Sequence, residues 1–217
     1  MRILAGYAGR LTLELHPDEA ALIDSLVGQV LELLQSHSST ELDPDPLLAS
    51  LEVGGSSTPP EDPALARLFP DAYEDAVEAS EYRRFTEQGL LNRKLQDATV
   101  VSAALSAEAP DRASREPLRE DPDGTIDGQR IMADEDALPV KVTITEASLE
   151  AWVRTLTAVR LALAARLGLD SDEDHERLED DPEARSTVLV YDWLAAIIES
   201  VLQFESAVVE DSDPEAL

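Results

Sequence analysis

VKVTITEASLEAWVRTLTAVRLALAARLG, residues 140–168, changes its period part-way along, and that change decides the fold. Val140, Val142 and Ile144 alternate with Lys141, Thr143 and Thr145, the two-residue period of a strand with one face buried. From Leu149 onward the apolar residues (Trp152, Val153, Leu156, Val159, Leu163, Leu167) recur at spacings of three and four, so they share one face of a helix. Thr145 is placed to cap that helix, Glu146 suits its positive end, and Gly168 stands where a left-handed terminator is expected.

Working outward, residues 3–7 and 11–15 read as two short strands turning at Gly9-Arg10, with Leu11, Leu13 and Leu15 facing a core. The strand at 140–144 is expected to pair with 11–15. Pro17 opens a helix whose apolar stripe includes Ile23, Val27, Val30 and Leu34. Asp62-Pro63 starts a short helix that Pro70 stops. Asp71 is a candidate cap for the next, with Ala72, Tyr73, Ala76, Val77, Tyr82 and Phe85 as its apolar contacts. Thr86 marks a new start, because Gly89 weakens a continuous helix; Leu91, Leu95, Ala98, Val101 and Leu105 then carry the helical period.

Residues 36–62 and 107–138 are rich in Pro, Gly, Ser and charge and read as flexible loops, and 210–217 as an acidic tail. Pro182 is expected to open a final helix with a broad, mostly buried apolar face (Leu189, Tyr191, Leu194, Ile197, Ile198, Val201, Leu202, Phe204). The fold class is therefore α+β, mainly α: a single domain over 1–217, with a helical bundle packed on a small two- to three-stranded sheet. Trp152 and Trp193 are read as core or interface anchors.

Composition narrows the function. The 46 acidic residues outnumber 17 basic ones, a net charge of −29. That field repels polyanions, and no basic recognition helix is visible, so direct DNA binding is disfavoured and a protein partner is favoured. With no cysteine, disulfides, thiolate catalysis and thiol redox sensing are excluded. No signal-peptide pattern appears, and no apolar run approaches the roughly 18 residues of a membrane span; a cytoplasmic location without membrane attachment is expected.

The acidic stretch DSDEDHERLEDD, 170–181, places Asp170, Asp172, Asp174 and Asp181 at calcium-loop positions. His175 falls where that loop needs Gly, and Arg177 disfavours a cation, so it reads as an acidic connection. His16, His37 and His175 have no mutual metal-binding spacing, and no nucleophile elbow, phosphate loop or dinucleotide fingerprint is present. No catalytic residue, metal or cofactor is assigned, and an enzyme without a recognisable site stands as an alternative reading to an interaction protein. The local exception to the acidic field is EYRRFTEQGLLNRK, where Arg83, Arg84, Arg93 and Lys94 form a candidate partner-binding patch. The competing reading pairs them with Glu81, Glu87 and Asp97 within the molecule. Arg160, beside the central stripe, carries the same two readings, with its stem packed and its head paired in the second.

Three stretches carry a resemblance: LFPDAYEDAVEASEYRRFTEQGLLNRKLQDA (68–98), LEAWVRTLTAVRLALAARLGL (149–169) and YDWLAAIIESVL (191–202). With the amino-terminal strand and helix, the chain resembles the actinobacterial AosR-like, oxidative-stress-regulating family, first filed as a domain of unknown function. The resemblance implies a non-enzymatic regulator of transcription acting through a protein partner such as a sigma factor or RNA polymerase. It also brings an association with Clp-protease adaptor neighbourhoods, hence the alternative of an accessory factor in Clp-type proteolysis. Homodimerisation through an exposed helix face is a further expectation. The thiol switch of that family picture has no counterpart in a chain without cysteine. Thr157-Ala158 stands where the family pattern favours Asn-Asp.

Overall fold

The alternation at Leu11, Leu13 and Leu15 builds β2 (Leu11–Leu15), the middle strand of an antiparallel sheet. β1 (Arg2–Ala5) and β3 (Val140–Ile144) flank it, giving the order β1-β2-β3. Leu11 faces Ile144, Leu13 faces Val142 and Leu15 faces Val140, all buried, while the opposite face pairs Lys141 Nζ with Glu14 Oε1 at 2.8 Å. The expected pairing of residues 140–144 with 11–15 is therefore found. A one-residue slip of β3 would turn its three buried side chains to water, which fixes the register.

The computed structural model describes residues 2–5, 10–37, 56–108 and 137–211, with side chains at all of these except 3, 5 and 204–211. The turn at Gly9, most of the segments 36–62 and 107–138, Phe204 and the end of the acidic tail lie outside that description. The helices, in order, are α1 (Pro17–His37), α2 (Pro63–Leu68), α3 (Ala76–Glu108), α4 (Glu146–Leu167), α5 (Asp172–Glu179) and α6 (Arg185–Asp211).

α4 is the element the others pack on: it touches α1, α2, α3, α6 and β3. Its stripe is the one the sequence spelled out, with Leu149, Trp152, Leu156 and Val159 buried. At its start the Thr145 backbone N–H donates to Ser148 Oγ at 3.0 Å. At its end Gly168 takes φ 66°, and the Leu169 N–H donates to the Ala164 carbonyl at 2.9 Å. That left-handed terminator is where glycine's freedom is used.

α2 clamps the same end. Asp62 Oδ1 accepts from the N–H groups of Ala64 (2.8 Å) and Leu65 (3.1 Å), and its Oδ2 accepts from Arg166 at 2.7 Å. Arg67 donates to the Leu169 carbonyl at 2.9 Å and pairs with Asp170.

Three expectations are corrected. First, the helix after Pro70 starts at Ala76, capped by Asp75 rather than Asp71, and runs unbroken through Gly89. Thr86 starts nothing; its hydroxyl donates back to the Tyr82 carbonyl at 2.9 Å. The glycine costs about 1 kcal/mol, less than the roughly 1.5–3 kcal/mol gained by burying each of Leu91 and Leu95. Second, the acidic connection 170–181 contains α5: Ser171 caps it at the Asp174 N–H (3.2 Å), and Asp172, Glu173 and Asp174 occupy the first turn, where the helix dipole favours negative charge. Third, Pro182 lies in a turn and α6 starts at Arg185. One side of α6 is buried (Val188, Leu194, Ile197, Val201), but Leu189 is 58% exposed and Leu202 42%. By length and composition, 185–203 is the one described stretch able to cross a membrane; in this fold its buried side rests on α4.

Candidate functional site

Arg83, Arg84, Arg93 and Lys94 all lie on α3, yet the helix sends them to three environments. Arg83 is buried. Its guanidinium donates to the Phe69 carbonyl (3.1 Å), Glu87 Oε2 (2.7 Å) and Asp71 Oδ1 (2.6 Å). Glu87, also buried, is reached from its other oxygen by His37 Nε2 of α1 at 3.0 Å, and the His37 ring stacks on Phe69 at 5.6 Å. Burial opposes the charge on Arg83, but the Glu87 and Asp71 hydrogen bonds outweigh it and hold the guanidinium's pKa above its ordinary value. This network joins α1, the 69–71 bend and α3; the pairing with Glu87 is the intramolecular one considered from the sequence.

Arg84 points outward, its guanidinium carbon 4.7 Å from the centre of the Phe85 ring. Around it the first half of α3 leaves an apolar face uncovered. Tyr73, Val77, Tyr82 and Phe85 are 45–67% exposed, and Tyr73 meets Tyr82 edge-on at 5.5 Å. Glu74, Asp75, Glu78 and Glu81 are exposed beside them. These aromatics were expected to be internal contacts. On α3 Ala79 is buried, but the main core cluster takes up the helix only from Leu91, where α1 and α4 close over it.

Arg93 and Lys94 line a third environment, a cavity of about 290 Å³ between α1, α3 and α4. Asp97 of α3 and Arg154, Thr155 and Thr157 of α4 share its wall, and Leu34, Leu90, Val153 and Leu161 are among its apolar lining. Arg154 pairs with Glu150 and stands 3.8 Å from Asp97 Oδ2. Burial lifts the Asp97 pKa against the pull of Arg154 and Arg93, and burial lowers that of Lys94 despite Asp97. Among the described residues, two polar atoms here lack hydrogen-bond partners: Asp97 Oδ2 and the Oγ1 of Thr155, a residue 2% exposed. Each such atom costs about 1–3 kcal/mol if nothing meets it. Thr155 gave one sequence signal, a hydroxyl beside the apolar stripe of α4.

Arg160 is set apart from the other four. It donates from Nε to the Tyr191 carbonyl (3.1 Å) and lies 4.0 Å over the Tyr191 ring, fastening α4 to α6. Nearby, Asp192 accepts from His175 Nε2 at 3.0 Å, while Glu179 lies 3.9 Å from Nδ1. One ligand atom from each of these three residues falls within 4.8 Å of the others. The carboxylates face different ring nitrogens, which is a hydrogen-bonding arrangement.

The family model for a domain of unknown function, DUF2017, matches residues 1–204. This chain belongs to the DUF2017 family. Among similar proteins, an AosR of Mycobacterium leprae is 30% identical over 189 residues, covering 84% of this chain and 76% of that protein. The oxidative stress regulator AosR of Mycobacterium bovis, and that of Mycobacterium tuberculosis, are each 28% identical over 197 residues, covering 88% of this chain and 79% of theirs. No solved structure matches. The family resemblance read from the three stretches holds, and for this DUF2017 member the named relatives support a regulatory role.

Proposed function

We propose that this DUF2017 chain is a cytoplasmic, non-enzymatic regulator of oxidative-stress transcription that works by docking a protein partner. The observation that carries the reading is the uncovered aromatic face on the first half of α3. Tyr73, Tyr82 and Phe85 form a cluster with Arg84, bordered by Glu74, Asp75, Glu78 and Glu81. Tyr, Phe and Arg are residues that anchor interfaces, and exposed carboxylates around them select partners with a basic rim. Arg83 supports the face from beneath by tying α3 to Asp71 and the Phe69 carbonyl. Of the basic stretch, Arg84 is the exposed cation that lies among these aromatics, while Arg93, also exposed, lies farther along α3. The family resemblance points to a sigma factor or RNA polymerase as the partner.

The test compares the wild-type chain with a Tyr82→Ala/Phe85→Asp double variant as baits under crosslinking in the native host. Wild type is expected to recover a sigma factor or RNA polymerase, and the variant to lose it while melting at the same temperature. Equal recovery by the two baits would refute the α3 face. Recovery of Clp components alone would replace transcription with regulated proteolysis as the process served.

A further inference from the structure

The cavity between α1, α3 and α4 has features that docking through the α3 aromatics does not use. Its volume of about 290 Å³ is near the lower end of small-molecule sites, roughly 300 Å³. It is lined by three cations, Arg93, Lys94 and Arg154, against one carboxylate, Asp97, in a chain whose net charge is −29. Arg154 is already paired with Glu150. Arg93 and Lys94 form no hydrogen bond or close ion pair among the described residues: both feel the attraction of Asp97 at longer range, and Lys94 Nζ lies 5.8 Å from the centre of the Phe69 ring. Thr155 places a hydroxyl with no hydrogen-bond partner among the described residues, 2% exposed, in the same wall, and Asp97 Oδ2 accepts no hydrogen bond there, Arg154 standing 3.8 Å away. Leu34, Leu90 and Leu161 supply apolar surface.

We infer that this cavity binds a small organic acid with an apolar body, of the size of a medium-chain carboxylate. The ligand carboxylate would meet Arg93 and Lys94, which share only Asp97 and hydrogen-bond no carboxylate among the described residues, and accept from the Thr155 hydroxyl; the body would lie along the leucines. Charge-assisted hydrogen bonds to a carboxylate are the strong kind. A polyphosphate fits less well, because Asp97 already offsets part of the positive charge. For a regulator without cysteine, such a site offers an input that needs no thiol.

The test uses isothermal titration of the purified full chain with octanoate, decanoate and 4-phenylbutyrate, each beside its matched alcohol and amine. At least one acid is expected to saturate a single site and raise the melting temperature. Its alcohol and amine should bind at least about tenfold more weakly. Arg93→Gln/Lys94→Gln should weaken the acid by about tenfold or more with an unchanged circular dichroism spectrum. Leu161→Trp, which fills the cavity from a surface position, should abolish binding. No saturable binding by any of the acids, or equal binding by the charge-neutral variant, overturns the inference. The readout is on the isolated chain, so its failure leaves the partner reading untouched.

Discussion

Replacing Glu87 by Ala tests the buried network that supports the α3 face. Arg83 and Glu87 each expose only 5% of their side chains, so solvent screening does little to weaken their 2.7 Å contact. Removing one member of a buried pair costs about 3–5 kcal/mol, because the remaining charge is left without its counter-ion. Here Arg83 keeps the Phe69 carbonyl and the half-exposed Asp71, which places the loss near the lower limit, about 3 kcal/mol. For a chain of this length that corresponds to a fall in melting temperature of roughly 6–12 °C. Urea unfolding of Glu87→Ala, Arg83→Met and the double Arg83→Met/Glu87→Ala closes a mutant cycle. The double variant should lose far less than the two single losses added, because the buried charge is gone with its partner. A single-variant loss below about 1 kcal/mol, the scale of a surface pair, or a double variant in which the losses simply add, would refute this account of the network.

Other outcomes follow from smaller features. Gly168→Ala should cost about 1–2 kcal/mol in urea unfolding, since the strain comes from φ 66° and an added Cβ meets nothing within 4 Å. Gly28→Ala, in mid-helix with open space around it, should stabilise by about 0.5–1 kcal/mol in the same assay. Asp62→Ala removes the α2 cap and should cost about 1 kcal/mol. Burial works against ionisation of Asp62, yet the Arg166 and backbone hydrogen bonds hold its pKa below the ordinary 3.8. The Asp62 contribution is accordingly complete above that value and fades as acid brings the pH down through the folded pKa. His175 behaves in the opposite sense. Its hydrogen bond to Asp192 outweighs desolvation and raises its pKa above 6.5, with Glu179 and Asp172 adding to the pull. Its contribution is full below 6.5 and lost as pH rises through the raised value, so the melting-temperature gap between wild type and His175→Gln should shrink from pH 6 to pH 9.

What the sequence made legible was periodicity. Residues 140–168 specified β3, α4, both of its ends and its buried stripe, and the alternating leucines of β2 specified its partner. Local rules failed where two candidates were equal. Asp71 and Asp75 are both acceptable caps; Asp75 caps α3 while Asp71 accepts from Arg83, and core packing from Leu91 onward carries the helix across Gly89. The basic stretch was visible, but a linear reading could not say that Arg83 turns inward, Arg84 outward and Arg93 and Lys94 toward α4. The cavity was illegible for the same reason, because its walls come from residues brought together only when three helices pack. Tyr82 and Phe85 read as core because they are large and apolar, but the face that α3 buries in its first half is the one that carries Ala79, Arg83 and Glu87, and they lie off it.

The sheet has a consequence for synthesis. β2 emerges from the ribosome early, but the strand that covers its far edge is made only when residue 140 is reached. At about 5–20 residues per second the interval is on the order of ten seconds. Throughout it Leu11, Leu13 and Leu15, with the apolar side of α1, have neither β3 nor α4 to lie against. The nascent amino-terminal third is thus the stretch that a ribosome-associated chaperone would have to shield, and the dense negative charge of the emerging chain is the solubilising counterweight it carries meanwhile.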